Sequence, residues 1–383
     1  MSEKNLTLVF NPLWPEHISK DVFLVPYYLG KELDYNVNIV YTPSEKNKDL
    51  PKAINGVKLN PLRINRQESQ STFWEIIKTC LYIIKHAKSI DLLMFIRSCS
   101  PYYELQSLLY KKLNPKGKVY VKLDINPNVI VEKNNNNSSF SFKYYVHQQI
   151  KIVSLKLIDC FSCETSITYK KIKESSLPEF QFGNKLELVP NGFDEELLQS
   201  LHLQERAYDE KENLIITVGR LGSPEKNTEM FLQALNKVKL NNWQVCFIGT
   251  IDSRIEKTIE LFYKENPDKI KSVNFVGPIF DKNELWEFYN RAKVFVLTSD
   301  WEGYPIVFPE AKRFRNYLVS TDVAACRDII ENEKYGACIP INDHDRLSIV
   351  LNEIVIGKRN IDVYKGYNVG DLSWQTQIKK LKL

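Results

Sequence analysis

The 383-residue sequence has no apolar run approaching the roughly 20 residues that a membrane-spanning helix needs. Its beginning also lacks the basic segment, the long apolar stretch and the cleavage site of a secretion signal. Met1–Asn5 is instead followed directly by the short apolar run Leu6–Phe10. These two absences predict a cytoplasmic protein that does not cross a membrane.

Cysteine is scarce, with seven scattered residues, an odd number. The one closely spaced pair, Cys160 and Cys163, falls in a predicted strand, where positions three apart face opposite sides of a sheet. This spacing does not favour a redox or metal role for the pair.

A large excess of charge of one sign is also missing. The net charge of +5 arises from 52 basic and 47 acidic residues, which gives no argument for a nucleic-acid partner. One stretch is nevertheless rich in lysine and aromatic residues: Lys143, Lys151, Lys156, Lys170, Lys171 and Lys173, with Phe140, Phe142, Tyr144 and Tyr145. It is predicted to be either a solvated face or a surface that contacts an anionic membrane or a lipid-phosphate acceptor, at the inner face of the membrane.

The chain is longer than one hydrophobic core normally supports, which predicts two domains. Short apolar runs alternate with helical segments from end to end, and this alternation predicts an α/β fold. In the first half the runs are Leu6–Phe10, Val37–Tyr41, Leu92–Ile96, Val119–Leu123, Ile158–Ser162 and Leu186–Val189. In the second half they are Leu214–Val218, Gln244–Ile248, Val273–Val276, Val294–Thr298 and Tyr317–Ser320. Two doubly wound, Rossmann-like domains are therefore expected.

The polar segment Gln199–Asn213 carries many charges and no sustained apolar period, so we expect it to lie outside either core. It places the domain boundary nearby. We predict an N-terminal domain over residues 1–195 and a C-terminal domain over residues 196–358.

One strand in the second half leads into a loop with two cations. Gly219 at the end of the strand permits close approach of the backbone, and Arg220 and Lys226 follow on the loop before the next helix. Ligands of open α/β sheets bind at the carboxyl ends of the strands. Arg220 and Lys226 are therefore predicted to converge on one diphosphate.

A second pattern follows 76 residues after Lys226, where Glu302 and Glu310 flank a glycine-containing loop. The spacing predicts Glu302 on the loop after the strand Val294–Thr298 and Glu310 on the next helix. Carboxylates accept hydrogen bonds from vicinal hydroxyls, which a nucleotide sugar presents on both its hexose and its ribose. The combined pattern therefore predicts a nucleotide-sugar site.

These motifs resemble the GT4 family of retaining glycosyltransferases over most of residues 186–345. The resemblance is carried by Val189–Asp194, Val218–Asn227, Phe247–Gly249, Phe275–Pro278 and Glu302–Glu310. It implies a GT-B fold, with two Rossmann-like domains facing across a cleft and a C-terminal helical segment, residues 359–383, that packs back on the first domain. Trp374 in that segment is expected to be structural. The activity implied is transfer of a hexosyl group from a nucleoside-diphosphate sugar to a hydroxyl of a glycan or lipid-linked acceptor, in polysaccharide or cell-surface glycan assembly.

The resemblance also implies residue roles. Arg220 and Lys226 would neutralise the diphosphate leaving group, Glu310 would hold the ribose, and Glu302 would lie beside the donor sugar. Further donor contacts are expected at Gly219, Gly249, Ile279, Gly303 and Tyr304. No Asp-x-Asp motif stands in the matching place, so neither a metal nor another cofactor is expected.

Three departures from the family pattern concern the acceptor side and one helix. Asn11–Lys20 replaces the usual glycine pair after the first strand; His17 within it either contacts donor phosphates or acceptor, or is an incidental surface residue. Asp124 stands where a histidine is common, and it either replaces that residue beside the sugar or caps a turn before Pro127. Lys312–Asn316 replaces small residues and a glycine, which leaves the local packing open.

Two other functions compete with a transferase. A sugar-nucleotide epimerase would use a related fold without an acceptor, although the paired glutamates argue against it. A catalytically silent sugar-nucleotide-binding subunit is suggested by the missing glycine pair and histidine.

Overall fold

The computed structural model describes residues 4–62, 72–97, 102–135 and 142–383. The chain divides into two compact units, Met1–Gly192 with Trp374–Leu383, and Phe193–Ser373. The predicted boundaries lie after residues 195 and 358. In the structure, residues 359–373 belong to the second unit, and the segment that joins the first unit begins at Trp374.

The described part of the first unit contains eight strands. They are β1 (Lys4–Val9), β2 (Tyr35–Tyr41), β3 (Ala53–Ile54), β4 (Val57–Pro61), β5 (Leu92–Ile96), β6 (Lys118–Lys122), β7 (Cys160–Cys163) and β8 (Leu186–Leu188). They form one sheet in the order β3-β4-β2-β1-β5-β6-β7-β8. Neighbouring strands are parallel except for the β3–β4 hairpin.

Helices lie on both faces of this sheet. They are α1 (Asp21–Leu33), α2 (Thr72–His86), α3 (Tyr103–Leu113), α4 (Pro127–Asn135), α5 (Phe142–Leu157) and α6 (Ser166–Glu174). Strand β1 shows why both faces are covered, because Leu8 and Val9 point to opposite sides and are both buried, each in a different hydrophobic cluster.

The second unit has a parallel sheet of six strands. They are β9 (Glu212–Val218), β10 (Gln244–Ile248), β11 (Val273–Gly277), β12 (Ala292–Leu297), β13 (Tyr317–Thr321) and β14 (Gly336–Ile339), in the order β11-β10-β9-β12-β13-β14. Its helices are α7 (Glu195–Leu201), α8 (Thr228–Asn236), α9 (Ser253–Glu265), α10 (Lys282–Arg291), α11 (Val307–Arg313), α12 (Cys326–Ile330) and α13 (His344–Val355). Ile215 and Ile216 enter clusters on opposite faces of the sheet, so this unit also has two apolar layers.

The last helix, α14 (Trp374–Ile378), belongs to the first unit. Trp374 is buried in the same cluster as Tyr28 of α1. The chain passes so close to Gly192 that a Cβ atom there would lie 2.8 Å from the Trp374 backbone. Trp374 therefore contributes to the core of the first unit.

The predicted α/β class with two Rossmann-like domains is confirmed. The prediction for Gln199–Asn213 is wrong, because this segment contributes to the second unit's core rather than lying outside it. Leu201 and Leu203 pack against an apolar cluster of that unit. Lys211 is buried because its ammonium donates to three backbone carbonyls, those of Tyr289, Asn290 and Ala292, which replace the lost water.

Candidate functional site

Three glycines bring the backbone together at the carboxyl ends of β9, β10 and β11. The amide of Gly219 donates to the carbonyl of Ile248 at 3.0 Å, and the amide of Gly249 donates to that of Gly277 at 2.9 Å. Gly249 has φ +139°, and a Cβ atom there would lie 1.7 Å from the Gly219 carbonyl oxygen. A side chain at position 249 is thus excluded, and the three loops form a close-packed edge at the strand ends.

The two motifs predicted to bind the donor meet at this edge. Lys226, on the loop between β9 and α8, forms an ion pair with Glu302, on the loop after β12. The hydroxyl of Ser299 donates to the same Glu302 oxygen, Oε1, at 2.9 Å. Both charged side chains are mostly but not fully buried, so a small ligand can reach them.

A set of hydrogen bonds fixes these two loops to each other. The Asp300 amide donates to the Glu225 carbonyl at 2.9 Å, and the Asn227 side chain donates to the Asp300 carboxylate at 2.7 Å. The hydroxyl of Thr298 donates to the carbonyl of Lys226 at 3.1 Å. The backbone on either side of the ion pair is therefore held in place before any ligand binds.

Arg220 lies on the same loop as Lys226, with 72% of its side chain exposed, and it pairs with Glu225. Only the arginine of this pair is exposed, because 13% of the Glu225 side chain reaches the surface. An incoming anion can therefore approach the guanidinium directly from solvent.

Glu310 lies on α11 and is buried. Its Oε1 atom accepts hydrogen bonds from Lys282 Nζ at 2.6 Å and from Trp286 Nε1 at 3.1 Å. Lys282 and Trp286 stand four positions apart at the start of α10 and so share one face of it. Sequence reasoning missed both residues, because the amphipathic pattern of α10 does not show which of its side chains reach Glu310.

The remaining predicted donor contacts are of different kinds. Gly303 adjoins Glu302 on the loop, and Ile279 is half-buried against the unit's apolar cluster. Tyr304 is buried in that cluster, and burial raises the pKa of its hydroxyl. The Tyr304 side chain is thus part of the core, and the donor contact predicted for this residue stays a prediction.

In the first unit, Asp124 and His17 both follow strands at the carboxyl edge of the sheet. Asp124 is exposed and has φ +40° directly after β6. His17 stacks on Trp14 with ring centroids 5.4 Å apart, and its Nδ1 accepts a hydrogen bond from the Trp14 amide at 3.1 Å. Burial lowers the pKa of His17, which favours the neutral imidazole and makes it a poor partner for phosphate.

A buried charge cluster lies near the same edge and was not anticipated. Lys122 at the end of β6 pairs with Asp21 of α1, Nζ to Oδ2 2.6 Å, and with Glu164 after β7. Lys122 and Glu164 are buried. The cluster joins three elements of the edge and so supports the segment that carries Asp124.

The predicted lysine-rich surface is described only in part. The side chains of Lys143, Phe142, Tyr144 and Tyr145, and the whole of Phe140, lie outside the described residues. Lys151 pairs with Glu179 at 3.7 Å, and Lys170 pairs with Glu174 at 3.9 Å. Part of the positive charge of this stretch is therefore balanced locally.

Two Rossmann-like units, with the candidate site at the strand ends of the second, define a GT-B fold. A glycosyltransferase of Rickettsia africae has a similar structure, with a TM-score of 0.71, 14% identity, and coverage of 99% of this chain and 97% of that one. At this identity the similarity establishes the fold.

Residues 200–362, which lie within the second unit, match the family "Glycosyl transferases group 1". The chain is 26% identical over 219 residues to the UDP-Gal:alpha-D-GlcNAc-diphosphoundecaprenol alpha-1,3-galactosyltransferase of Escherichia coli, covering 54% of this chain and 55% of that protein. It is 24% identical over 228 residues to the capsular polysaccharide biosynthesis glycosyltransferase CapM of Staphylococcus aureus, covering 56% and 57%. The chain thus spans about half the length of these relatives. The narrower GT4 assignment stays a prediction.

Proposed function

We propose that the protein is a retaining, metal-independent glycosyltransferase that moves a hexosyl group from a nucleoside-diphosphate sugar to a glycan or lipid-linked acceptor. The observation that carries this proposal is the contact between Lys226 and Glu302. It places a cation that can bind phosphate beside a carboxylate that can accept hydrogen bonds from sugar hydroxyls, at one edge of the sheet. The E. coli relative, named for UDP-galactose and a diphosphoundecaprenol acceptor, supports a uridine-diphosphate hexose and a lipid-linked acceptor.

In the proposed reaction the bond between the anomeric carbon and the diphosphate oxygen breaks, and the acceptor oxygen bonds to that carbon on the same face. The acceptor proton passes to the departing phosphate. Negative charge therefore grows on the diphosphate, and Arg220 and Lys226 stabilise it without a metal ion. No enzyme nucleophile is needed at Glu302.

The ion pair has a further role when no donor is bound. Lys226 and Glu302 satisfy each other's charge in a partly buried place, where an unpaired charge would be costly. When the donor enters, Lys226 turns to the phosphate and Glu302 to a sugar hydroxyl. Glu310, already oriented by Lys282 and Trp286, receives the ribose.

The acceptor is assigned to the first unit. Asp124 is proposed to act on the acceptor side, since it is exposed at the carboxyl end of β6. The alternative role of Asp124 as a turn cap predicts that Asp124→Asn leaves the turnover unchanged.

The purified protein should convert a UDP-hexose and a lipid-diphosphate sugar into UDP and a longer glycan, with turnover unaltered by a chelator. The measurement is chromatography of the nucleotides and of the acceptor for UDP-galactose, UDP-glucose and UDP-N-acetylglucosamine, with and without EDTA. An epimerase would interconvert the donors without acceptor, and a silent subunit would leave all of them intact. Strict dependence on a divalent ion would refute the proposed charge neutralisation.

Changing Glu302 and Glu310 separately to glutamine should have different effects on the steady-state kinetics. Glu310→Gln removes an acceptor distant from the reacting carbon, so it should raise the donor KM several-fold with a smaller effect on kcat. Glu302→Gln acts beside the anomeric carbon, so it should lower kcat about tenfold or more. Steady-state kinetics with varied donor measures both effects.

Trp286→Phe provides a matched control, because it removes one hydrogen bond to Glu310 while keeping an aromatic ring in place. It should shift the donor KM in the same direction as Glu310→Gln but less strongly. Full turnover with weak donor binding in Glu302→Gln would show that the two assignments are reversed.

A further inference from the structure

Helix α2 of the first unit exposes an unusual amount of apolar surface for a helix of a globular protein. Its exposed large apolar side chains are Phe73 (63%), Trp74 (40%), Leu81 (53%) and Ile84 (52%). At 100° per residue these side chains lie within about one third of the helix circumference. The opposite side is the inner face, where Thr79 and Ile83 are fully buried.

The charges on α2 and the turn after it have one sign on the outer side. Lys85 and Lys88 are exposed, and Lys78 lies with its Nζ 6.0 Å from the Trp74 ring centroid. Helix α2 has one acidic residue, Glu75, and it lies half-buried on the inner side rather than on the outer face. Burial raises the pKa of its carboxyl group. The outer face of α2, defined by residues 73, 74, 77, 78, 81, 84, 85 and 88, is therefore both apolar and cationic.

Such a combination fits an anionic bilayer surface better than water. Apolar side chains of a helix lying flat can enter the boundary between headgroups and acyl chains, while lysines at its edge meet lipid phosphates. Tryptophan is favoured at that depth because its ring is amphipathic. Among the described residues no helix is both long and apolar enough to span a membrane. Helix α2 has 15 residues, fewer than the roughly 20 that cross a bilayer, which fits a helix lying on the surface.

We propose that the outer face of α2 docks the protein on an anionic phospholipid bilayer. The biological role of this docking rests on the proposed function, since a lipid-linked acceptor is confined to the bilayer. Its physical basis is independent of catalysis, because the residues that carry it lie in the first unit and none is assigned to donor binding. Apolar contact supplies the insertion, and Lys78, Lys85 and Lys88 supply the preference for anionic lipid.

The test is flotation of the full chain with vesicles of phosphatidylcholine alone or with 30% phosphatidylglycerol. The protein should float with the anionic vesicles, less at high salt, and little with the neutral ones. Leu81→Ser with Ile84→Ser should weaken binding at least tenfold. Replacing the three lysines by glutamine should remove the preference for phosphatidylglycerol, since each contributes about a fivefold effect.

Leu261→Ser with Ile356→Ser is the matched control, because it removes two equally exposed apolar side chains (55% and 66%) from the second unit. It should float like the unaltered protein. Failure of the unaltered protein to float with anionic vesicles, or undiminished flotation of the α2 variant, would overturn the proposal. So would a dimer in light scattering that the α2 variant converts to monomer, since the face would then bind a second copy.

Donor binding, followed as thermal stabilisation by UDP-hexose, separates this proposal from the proposed function. The α2 variants should still be stabilised by UDP-hexose but should no longer bind the anionic vesicles. If the unaltered protein floats but no nucleotide sugar stabilises it, the docking surface stands and the proposed function fails.

Discussion

Replacing Lys226 with alanine should lower transfer turnover about a hundredfold or more while leaving the fold intact, because removal of one group that stabilises developing charge typically costs about 3 kcal/mol. In the ligand-free protein Lys226 is paired with Glu302. Its loss leaves that carboxylate with the Ser299 hydroxyl and with partial access to water. The unfolding temperature should therefore fall, because Glu302 is left partly buried without its counter-charge, but the fold should persist. Arg220→Ala should also remove most activity, because the exposed guanidinium is available to the same diphosphate.

Lys237→Ala is a suitable control for Lys226→Ala. Lys237 also forms an ion pair in the second unit, with Asp345, but both side chains are at least half exposed. Turnover and unfolding temperature should remain those of the unaltered protein. If Lys226→Ala kept full turnover, the diphosphate would have to be neutralised elsewhere.

Much of the second unit could be predicted because the sequence patterns that define its strands and loops involve residues adjacent in the chain. The apolar runs of β9 and β12 have the length and boundaries of buried strands, and glycines mark where the backbone must approach closely. The position of Glu302 on a loop and of Glu310 on a helix likewise follows from adjacent residues. In the first unit, β3 and β4 were missed because the hairpin is short and only partly buried.

The contacts within the site could not be predicted, because they join residues far apart in the chain. Lys226 and Glu302 are 76 positions apart, and Lys282 and Glu310 are 28 apart. Sequence spacing predicts which strand end each residue occupies, but not which side chains touch. Trp286 in particular resembles any core aromatic until its indole nitrogen is seen to reach Glu310.

The polar residues that follow Glu310 show the same limit of sequence-based prediction. Lys312–Asn316 departed from the expected small residues, and the structure explains the departure by hydrogen bonding. Lys312 is buried and donates to the carbonyl of Ile329 and to the carboxylate of Glu331, each at 2.7 Å. Asn316 is buried as well and donates to two backbone carbonyls. The Lys312 ammonium and the Asn316 amide nitrogen have thus exchanged water for protein acceptors.

Arg313 is the most consequential of these residues. Its guanidinium binds Glu195 of α7 through Nε at 2.5 Å and Glu205 through an NH2 group at 2.7 Å, with only 6% of its side chain exposed. These bonds tie α11, which carries Glu310, to the beginning of the second unit. They also hold the pKa of Glu205 below its ordinary value.

Arg313→Ala should destabilise the second unit by about 3 kcal/mol, because it removes a buried guanidinium and leaves Glu195, only 15% exposed, without its counter-charge. We expect the lower end of the usual range, since Glu205 keeps its bond to Arg315. The unfolding temperature should fall by roughly 6–12 °C, measured by calorimetry. The lowered pKa of Glu205 means that this contribution is present above the ordinary glutamate pKa of about 4.3 and is lost as the pH falls below it. The difference in stability between the Arg313→Ala variant and the unaltered protein should therefore shrink in acid.

Arg327→Ala is the control, because its pair with Asp322 leaves 71% of the arginine exposed and should contribute less than about 1 kcal/mol. Equal losses in the two variants would show that the Arg313 contacts do not stabilise the unit beyond an ordinary surface pair.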